Sequence, residues 1–143
     1  MAGKTVALAD VADEVFASGA MGQGIAIDPS QGEIVAPTAG EVKILFPTKH
    51  AIGFVTENGA ELLIHIGMNT VELNGQYFTA HVAQGDHVKA GQKLVSFDVA
   101  AIQAAGYPVV TPVIVTNSPQ YVAIETTNEP TVTTASDLIF LKK

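Results

Sequence analysis

The sequence predicts an all-β protein: an antiparallel β-sandwich or flattened barrel of short strands, with one or more very short helices. Three observations carry that expectation. Short runs rich in Val, Ile, Leu and Phe recur at close spacing between clusters of Gly, Pro, Asn and Asp. Only one stretch has both a helix start and a helix stop. The chain of 143 residues is 48% hydrophobic and only 15% charged, which suits one domain over residues 1–143 with a substantial core.

In chain order, Thr5 to Leu8 is a first short strand, followed by an irregular connection through Asp13, Glu14, Val15 and Phe16 and the glycines Gly19, Gly22 and Gly24. Gly24 to Ile27, Gly32 to Val35 and Gly40 to Phe46 are β-type runs, separated by the turn compositions Asp28-Pro29-Ser30-Gln31-Gly32 and Ala36-Pro37-Thr38-Ala39-Gly40. A hairpin over residues 48–71 comes next. Tyr77 to Val82, Lys93 to Asp98, Val109 to Val115, Tyr121 to Glu125 and Leu138 to Leu141 complete the series. The helix runs from Val99 to Ala105, because Asp98 can accept from the free N–H groups of a first turn and Gly106 can adopt the left-handed conformation that ends a last one.

Charge and composition exclude several functions. There are 14 acidic and 7 basic residues, every basic one a lysine, for a net charge of -7. Such a balance opposes nucleic-acid backbones and anionic membranes and favours a basic protein partner. Absence of cysteine excludes disulfides and thiol catalysis. No basic segment followed by an apolar one opens the chain, so a cytoplasmic location is expected. The uncharged stretch from Val99 to Ile124 is interrupted by Gly106, Pro108, Pro112 and Pro119, and is expected to be core and not a membrane insertion.

Chemistry concentrates in the hairpin. With Asn58-Gly59 as the two residues of a type I′ turn, Glu57 faces Ala60, Ile52 faces His65 and His50 faces Gly67. His50 and His65 then leave one face of the sheet with Cα atoms roughly 7–8 Å apart, and Gly67 leaves space beside them. A three-residue loop would slip the pairing by one and send the two rings to opposite faces; a four-residue loop would restore it. Thr48, two residues before His50, can hold that ring in one tautomer. His65 sits among Leu62, Leu63, Ile64 and Ile66, where a polar ring needs a reason. A lone histidine is ordinarily packed or solvated, and His81 and His87 are read that way.

Three chemistries can use such a pair. A zinc-dependent hydrolase needs a third protein ligand, and neither His-Glu-x-x-His nor His-x-His occurs. A serine triad needs a nucleophile elbow, and none of Ser18, Ser30, Ser96, Ser118 or Ser136 stands in one. Covalent catalysis by histidine requires only a neutral imidazole with one nitrogen held, and a donor for the phosphoryl oxygens. Without arginine, His50 and backbone N–H groups near Gly67 and Met68 are expected to meet that charge.

Ala36-Pro37-Thr38-Ala39-Gly40-Glu41-Val42 and Gly85-Asp86-His87-Val88-Lys89-Ala90-Gly91-Gln92-Lys93-Leu94 resemble the half-patterns of biotinyl and lipoyl carrier domains. A carrier needs a lysine at the following hairpin tip, and none occurs between Lys93 and Lys142, so only the barrel-sandwich echo survives. A longer likeness covers most of the chain. Gly59-Ala60-Glu61-Leu62-Leu63-Ile64-His65-Ile66-Gly67-Met68-Asn69-Thr70-Val71 resembles the active-site signature of the glucose-family enzyme IIA of the bacterial phosphoenolpyruvate-dependent sugar phosphotransferase system. Asp13-Glu14-Val15-Phe16-Ala17, Gly22-Gln23-Gly24-Ile25-Ala26-Ile27 and Phe46-Pro47-Thr48-Lys49-His50-Ala51 are similar to the same family.

That resemblance implies that His65 is the phosphorylated histidine, His50 the second histidine that donates to the phosphoryl group, and Thr48 its support. It implies two protein partners, the histidine-containing phosphocarrier protein as donor and the enzyme IIB domain of a sugar permease as acceptor, with further regulatory protein targets. No metal or cofactor is expected. Val15, Phe16, Phe46 and Ile64 would form an apolar patch around the histidines, with ordinary core as their alternative, and Asp13 an acidic rim. Asn69 stands in that rim where family members often carry aspartate, so the partner surface lacks a charge there. The alternatives to a phosphocarrier are a zinc-dependent hydrolase on a related barrel-sandwich fold and a non-catalytic regulatory binding module.

Overall fold

Antiparallel pairing organises the whole computed structural model, which describes residues 3–11, 17–18, 22–117, 123–126, 131–132 and 139–142. The strands are β1 (Gly3–Ala7), β2 (Gln23–Pro29), β3 (Glu33–Val35), β4 (Gly40–Leu45), β5 (Ala51–Thr56), β6 (Glu61–His65), β7 (Phe78–Ala80), β8 (His87–Val88), β9 (Lys93–Phe97), β10 (Thr111–Val115), β11 (Ala123–Thr126), β12 (Thr131–Val132) and β13 (Ile139–Lys142). Eight form one sheet in the order β12-β1-β2-β10-β6-β5-β4-β8, three form a second in the order β3-β9-β7, and β11 pairs with β13. The expected all-β sandwich of short strands is what the chain builds.

The core lies between the eight-stranded and three-stranded sheets. Val42, Ile52, Phe54, Ile64 and Val113 from the large sheet meet Ile34, Phe78, Leu94, Val95 and Phe97 from the small one. On the opposite face of the large sheet, Ala26 and Ile114 pack with Val11, Met68 and Leu63 in a smaller cluster. Because side chains alternate along β6, Ile64 enters the main core while Leu63 and His65 project from the other face.

Helix α1 (Val99–Ala104) has the expected ends. The Asp98 carboxylate accepts from the Ala101 N–H at 3.0 Å. At the far end Gly106 (φ +95) donates to Gln103 O and Tyr107 to Ile102 O, the paired bonds of a Schellman ending. Boundaries moved in small ways. Leu8 turns into a short 3-10 segment, Leu8–Asp10, instead of extending the first strand, and His87–Val88 adds a short strand on β4 that was not among the expected runs. That pairing sets the two half-patterns side by side: Glu41 faces His87, and Ala36 exchanges backbone bonds with Gly91 and Gln92.

The hairpin loop corrects the expected register. Thr56 and Ala60 close it, with Gly59 N–H returning to Thr56 O at 2.9 Å, so the loop is Glu57-Asn58-Gly59. Only Gly59 takes a positive φ, +89, and Asn58 does not, which rules out a type I′ turn. The ladder is therefore slipped by one: His65 faces Ala51, Ile64 faces Ile52 and Leu62 faces Phe54. Asn117, packed at the end of β10, holds this tip by accepting from Glu61 N–H and donating to Gly59 O, each at 3.0 Å.

Candidate functional site

Despite the slipped register, the two histidine rings meet, with centroids 5.0 Å apart and planes 82° apart. The parity rule applies to ladder residues, and His50 is not one. Strand β5 begins at Ala51, and His50 ends a turn in which Lys49 adopts φ +62 and donates to Phe46 O at 2.7 Å. His50 thus stands at the end of the regular strand, beside the left-handed Lys49, where strict alternation stops governing a ring. Its carbonyl accepts from Ile66 N–H at 2.7 Å, which ties the turn to the far end of β6.

Each ring is held at Nδ1. His65 Nδ1 lies 2.7 Å from the carbonyl oxygen of Gly67. A carbonyl can only accept, so Nδ1 carries the hydrogen and the lone pair of the neutral ring is on Nε2. His50 Nδ1 lies 2.6 Å from the Thr48 hydroxyl, the partner expected for it, although Thr48 reaches it from the turn and not from a strand face. His50 is buried at 4% exposure, and Phe46 packs edge-on against it at 5.4 Å. Removal from water, with the neighbouring His65 ring adding to it, lowers the His50 pKa from 6.5 to about 4. At neutral pH His50 is therefore an uncharged imidazole.

Gly67 does something other than leave space. Its φ is +74, and a Cβ there would lie 2.5 Å from the Pro108 carbonyl oxygen and 2.7 Å from Thr70 Cγ2. The volume beside it is filled, and glycine is required so that its carbonyl can turn toward His65. Nor is the Met68 N–H available to a phosphoryl group, since it donates to Pro108 O at 3.2 Å.

The expected apolar surface needs a second correction. Ile64 is 4% exposed and faces the main core, so it has no surface to offer a partner. Phe46 is 38% exposed beside His50, and Asn69 is exposed at φ +59, a conformation Asn tolerates well. Asp13, Val15 and Phe16 lie outside the described residues. Sequence reasoning passed over two exposed apolar residues, Ile44 at 50% and Val71 at 49%. Ile44 faces Gly53 and covers it, on the face from which His65 projects. It also passed over Thr70 and Pro108. Val71 stood inside the recognised signature, but nothing local marked Pro108, whose proximity comes only from the fold.

His81 and His87 are exposed, and His81 Nε2 lies 2.6 Å from Ser96 Oγ, away from the pair. Among the described residues no three His, Cys, Asp or Glu gather into a group able to hold a metal ion, so the third ligand a zinc hydrolase needs is not brought to the histidines. No helix among them is long and apolar enough to cross a membrane.

Fold and site together define a β-sandwich domain with a buried imidazole set edge-on to a second, tautomer-fixed one. The family model for the phosphoenolpyruvate-dependent sugar phosphotransferase system, EIIA 1, matches residues 1–121, and the chain belongs to that family. The chain is 57% identical over 119 residues to the beta-glucoside-specific EIIBCA component of Bacillus subtilis, covering 83% of this chain and 20% of that protein. It is 51% identical over 116 residues to the glucose-specific EIIA component of Oceanobacillus iheyensis, covering 81% of this chain and 70% of that one. The solved glucose permease IIA from Mycoplasma capricolum superposes with a TM-score of 0.74 at 40% identity, over 80% of this chain and 75% of that one. The chain thus spans about a fifth of the length of the beta-glucoside-specific relatives it matches.

Proposed function

We propose that residues 1–143 act as one phosphocarrier unit in which His65 Nε2 takes a phosphoryl group from the histidine-containing phosphocarrier protein and delivers it to the enzyme IIB domain of a sugar permease. The observation that carries this reading is the 2.7 Å bond from His65 Nδ1 to the Gly67 carbonyl, which leaves the nucleophilic lone pair on Nε2 in a ring facing a second imidazole. In the first transfer the lone pair of Nε2 forms the new P–N bond as the P–N bond of the donor phosphohistidine breaks. In the second, a thiolate of the acceptor attacks phosphorus and the His65 P–N bond breaks, returning the pair to Nε2.

His50 and Thr48 serve the charge that moves. The role assigned to His50 takes the Thr48 hydroxyl, 2.6 Å away, as the donor to Nδ1, so that Nε2 carries a hydrogen that can meet a phosphoryl oxygen. Being neutral at physiological pH, His50 donates a hydrogen bond without the full ion pair that would hold the phosphoryl group back. Phe46 offers exposed apolar area beside His50 for successive partners, and the exposed Asn69 is assigned to the same surface on family resemblance. Asp13, Val15 and Phe16 are assigned to the same partner surface on family resemblance alone.

The test is a phosphorylation mixture of phosphoenolpyruvate, enzyme I and the phosphocarrier protein. One acid-labile phosphate per chain, discharged on addition of the IIB domain, is the expected result. No uptake, with zinc retained on purification, would favour the hydrolase reading.

A further inference from the structure

We infer that Thr70 is a positioning residue for His65: its buried hydroxyl fixes the peptide that aims the Gly67 carbonyl at His65 Nδ1, and so sets which nitrogen of the ring is nucleophilic. Thr70 is fully buried, and its Oγ1 donates to the carbonyl of Ile66. This pins the Ile66–Gly67 peptide, whose preceding N–H is already bonded to the His50 carbonyl at 2.7 Å. The next peptide, Gly67–Met68, is pinned at both ends: its N–H donates to Pro108 O at 3.2 Å, and its carbonyl accepts from His65 Nδ1 at 2.7 Å. Gly67 is the joint between the two planes, and its φ of +74 is the angle that satisfies both.

The methyl of Thr70 occupies the other side of the joint, 2.7 Å from where a Gly67 Cβ would stand. Without the hydroxyl, the Ile66 carbonyl loses its side-chain partner in a buried place, and the joint can turn toward other angles open to glycine. The Gly67 carbonyl then no longer selects the Nδ1–H form, and the His65 ring can place its hydrogen on Nε2, which removes the lone pair from the nitrogen that reacts. The Thr70 hydroxyl is spent on the Ile66 carbonyl, so its effect on His65 runs through the backbone.

Thr70→Val keeps the shape and removes the hydroxyl, while Thr70→Ser keeps the hydroxyl and removes the methyl. Ring-nitrogen NMR of His65 in the unphosphorylated protein reads the tautomer directly. Wild type and Thr70→Ser should show the Nδ1–H form alone, and Thr70→Val a mixture, with phosphoryl uptake slowed about tenfold. A single Nδ1–H form in Thr70→Val, or a mixture in Thr70→Ser as large as in Thr70→Val, would overturn the inference. Should Thr70→Val not fold, Thr70→Ala takes its place against Thr70→Ser with the same opposed outcomes. The rate arm rests on the phosphocarrier reading and the tautomer arm does not. A wild-type chain that takes no phosphate would sink that reading while the NMR comparison still decides the role of Thr70.

Discussion

The two ends of the β5–β6 hairpin are built to opposite rules. At the tip, the turn is closed on the ladder and held by a clamp: Thr56 donates to Ala60, Gly59 returns to Thr56, and Asn117 binds both Glu61 and Gly59. At the other end the ladder stops, and the backbone enters left-handed conformations at Lys49, Gly67 and Asn69. Both histidines sit there, one on the last ladder residue and one just outside it. The difference teaches where chemistry can be placed. A ladder fixes a side chain's face but not what its ring nitrogens meet. The irregular end supplies those partners, the Gly67 carbonyl for His65 and the Thr48 hydroxyl for His50.

The contrast predicts separable effects, and the largest belongs to the irregular end. Gly67→Ala must place a Cβ 2.5 Å from the Pro108 oxygen in a left-handed conformation. It should lose roughly 3 kcal/mol or more of stability together with most phosphoryl uptake, read by thermal unfolding and labelling. Full stability with full labelling would break the account of this turn. At the tip, Asn117→Ala should lower stability by about 1–3 kcal/mol while leaving transfer per folded molecule unchanged. A selective loss of transfer there would abolish the separation between the ends.

His50→Gln sharpens the comparison within the active end. It keeps a donor but changes its reach and polarity. Acceptance from the phosphocarrier should survive while delivery to the IIB domain slows at least about tenfold, roughly 1.4 kcal/mol of transition-state stabilisation. Equal small effects on both single-turnover rates would make His50 a bystander. The same residue gives a pH signature. Its folded pKa of about 4 lies below the 6.5 of an unperturbed ring, so between those values the unfolded chain binds more protons. The stability contributed by keeping this ring neutral is complete above about 6.5 and is lost as pH falls toward about 4. His50→Gln should lack that decline, and a resonance assigned to the His50 ring that titrates near 6.5 would contradict the buried, neutral assignment. The smallest effect concerns Phe46: Phe46→Asp should slow transfer several-fold with little change in melting temperature, and the reverse pattern would place Phe46 in the core.

Much of the fold was legible because its signals are local. Asp98 and Gly106 bounded a helix by hydrogen-bond chemistry that needs no tertiary partner, and alternating apolar runs located the main strands. The hairpin register was not legible. Asn58-Gly59 suits a two-residue turn, but a three-residue loop held by Asn117, distant in sequence, is what forms. The histidine pair was anticipated by a parity argument whose register premise the structure overturns; the rings meet with His50 one residue before the regular strand begins. Left-handed φ at Lys49 and at Tyr77 had no sequence signal, since neither residue favours it. Burial separated Phe46 from Ile64, which composition alone could not distinguish.

The most direct test locates the phosphate on the chain. After phosphorylation, mass spectrometry at alkaline pH and ring-nitrogen NMR should place a single phosphoryl group on Nε2 of His65, with none on His50, His81 or His87, and His65→Ala should take up no label. Phosphate on Nδ1 of His65, or label persisting in His65→Ala, would contradict the claim that the Gly67 carbonyl selects the reacting nitrogen of this histidine.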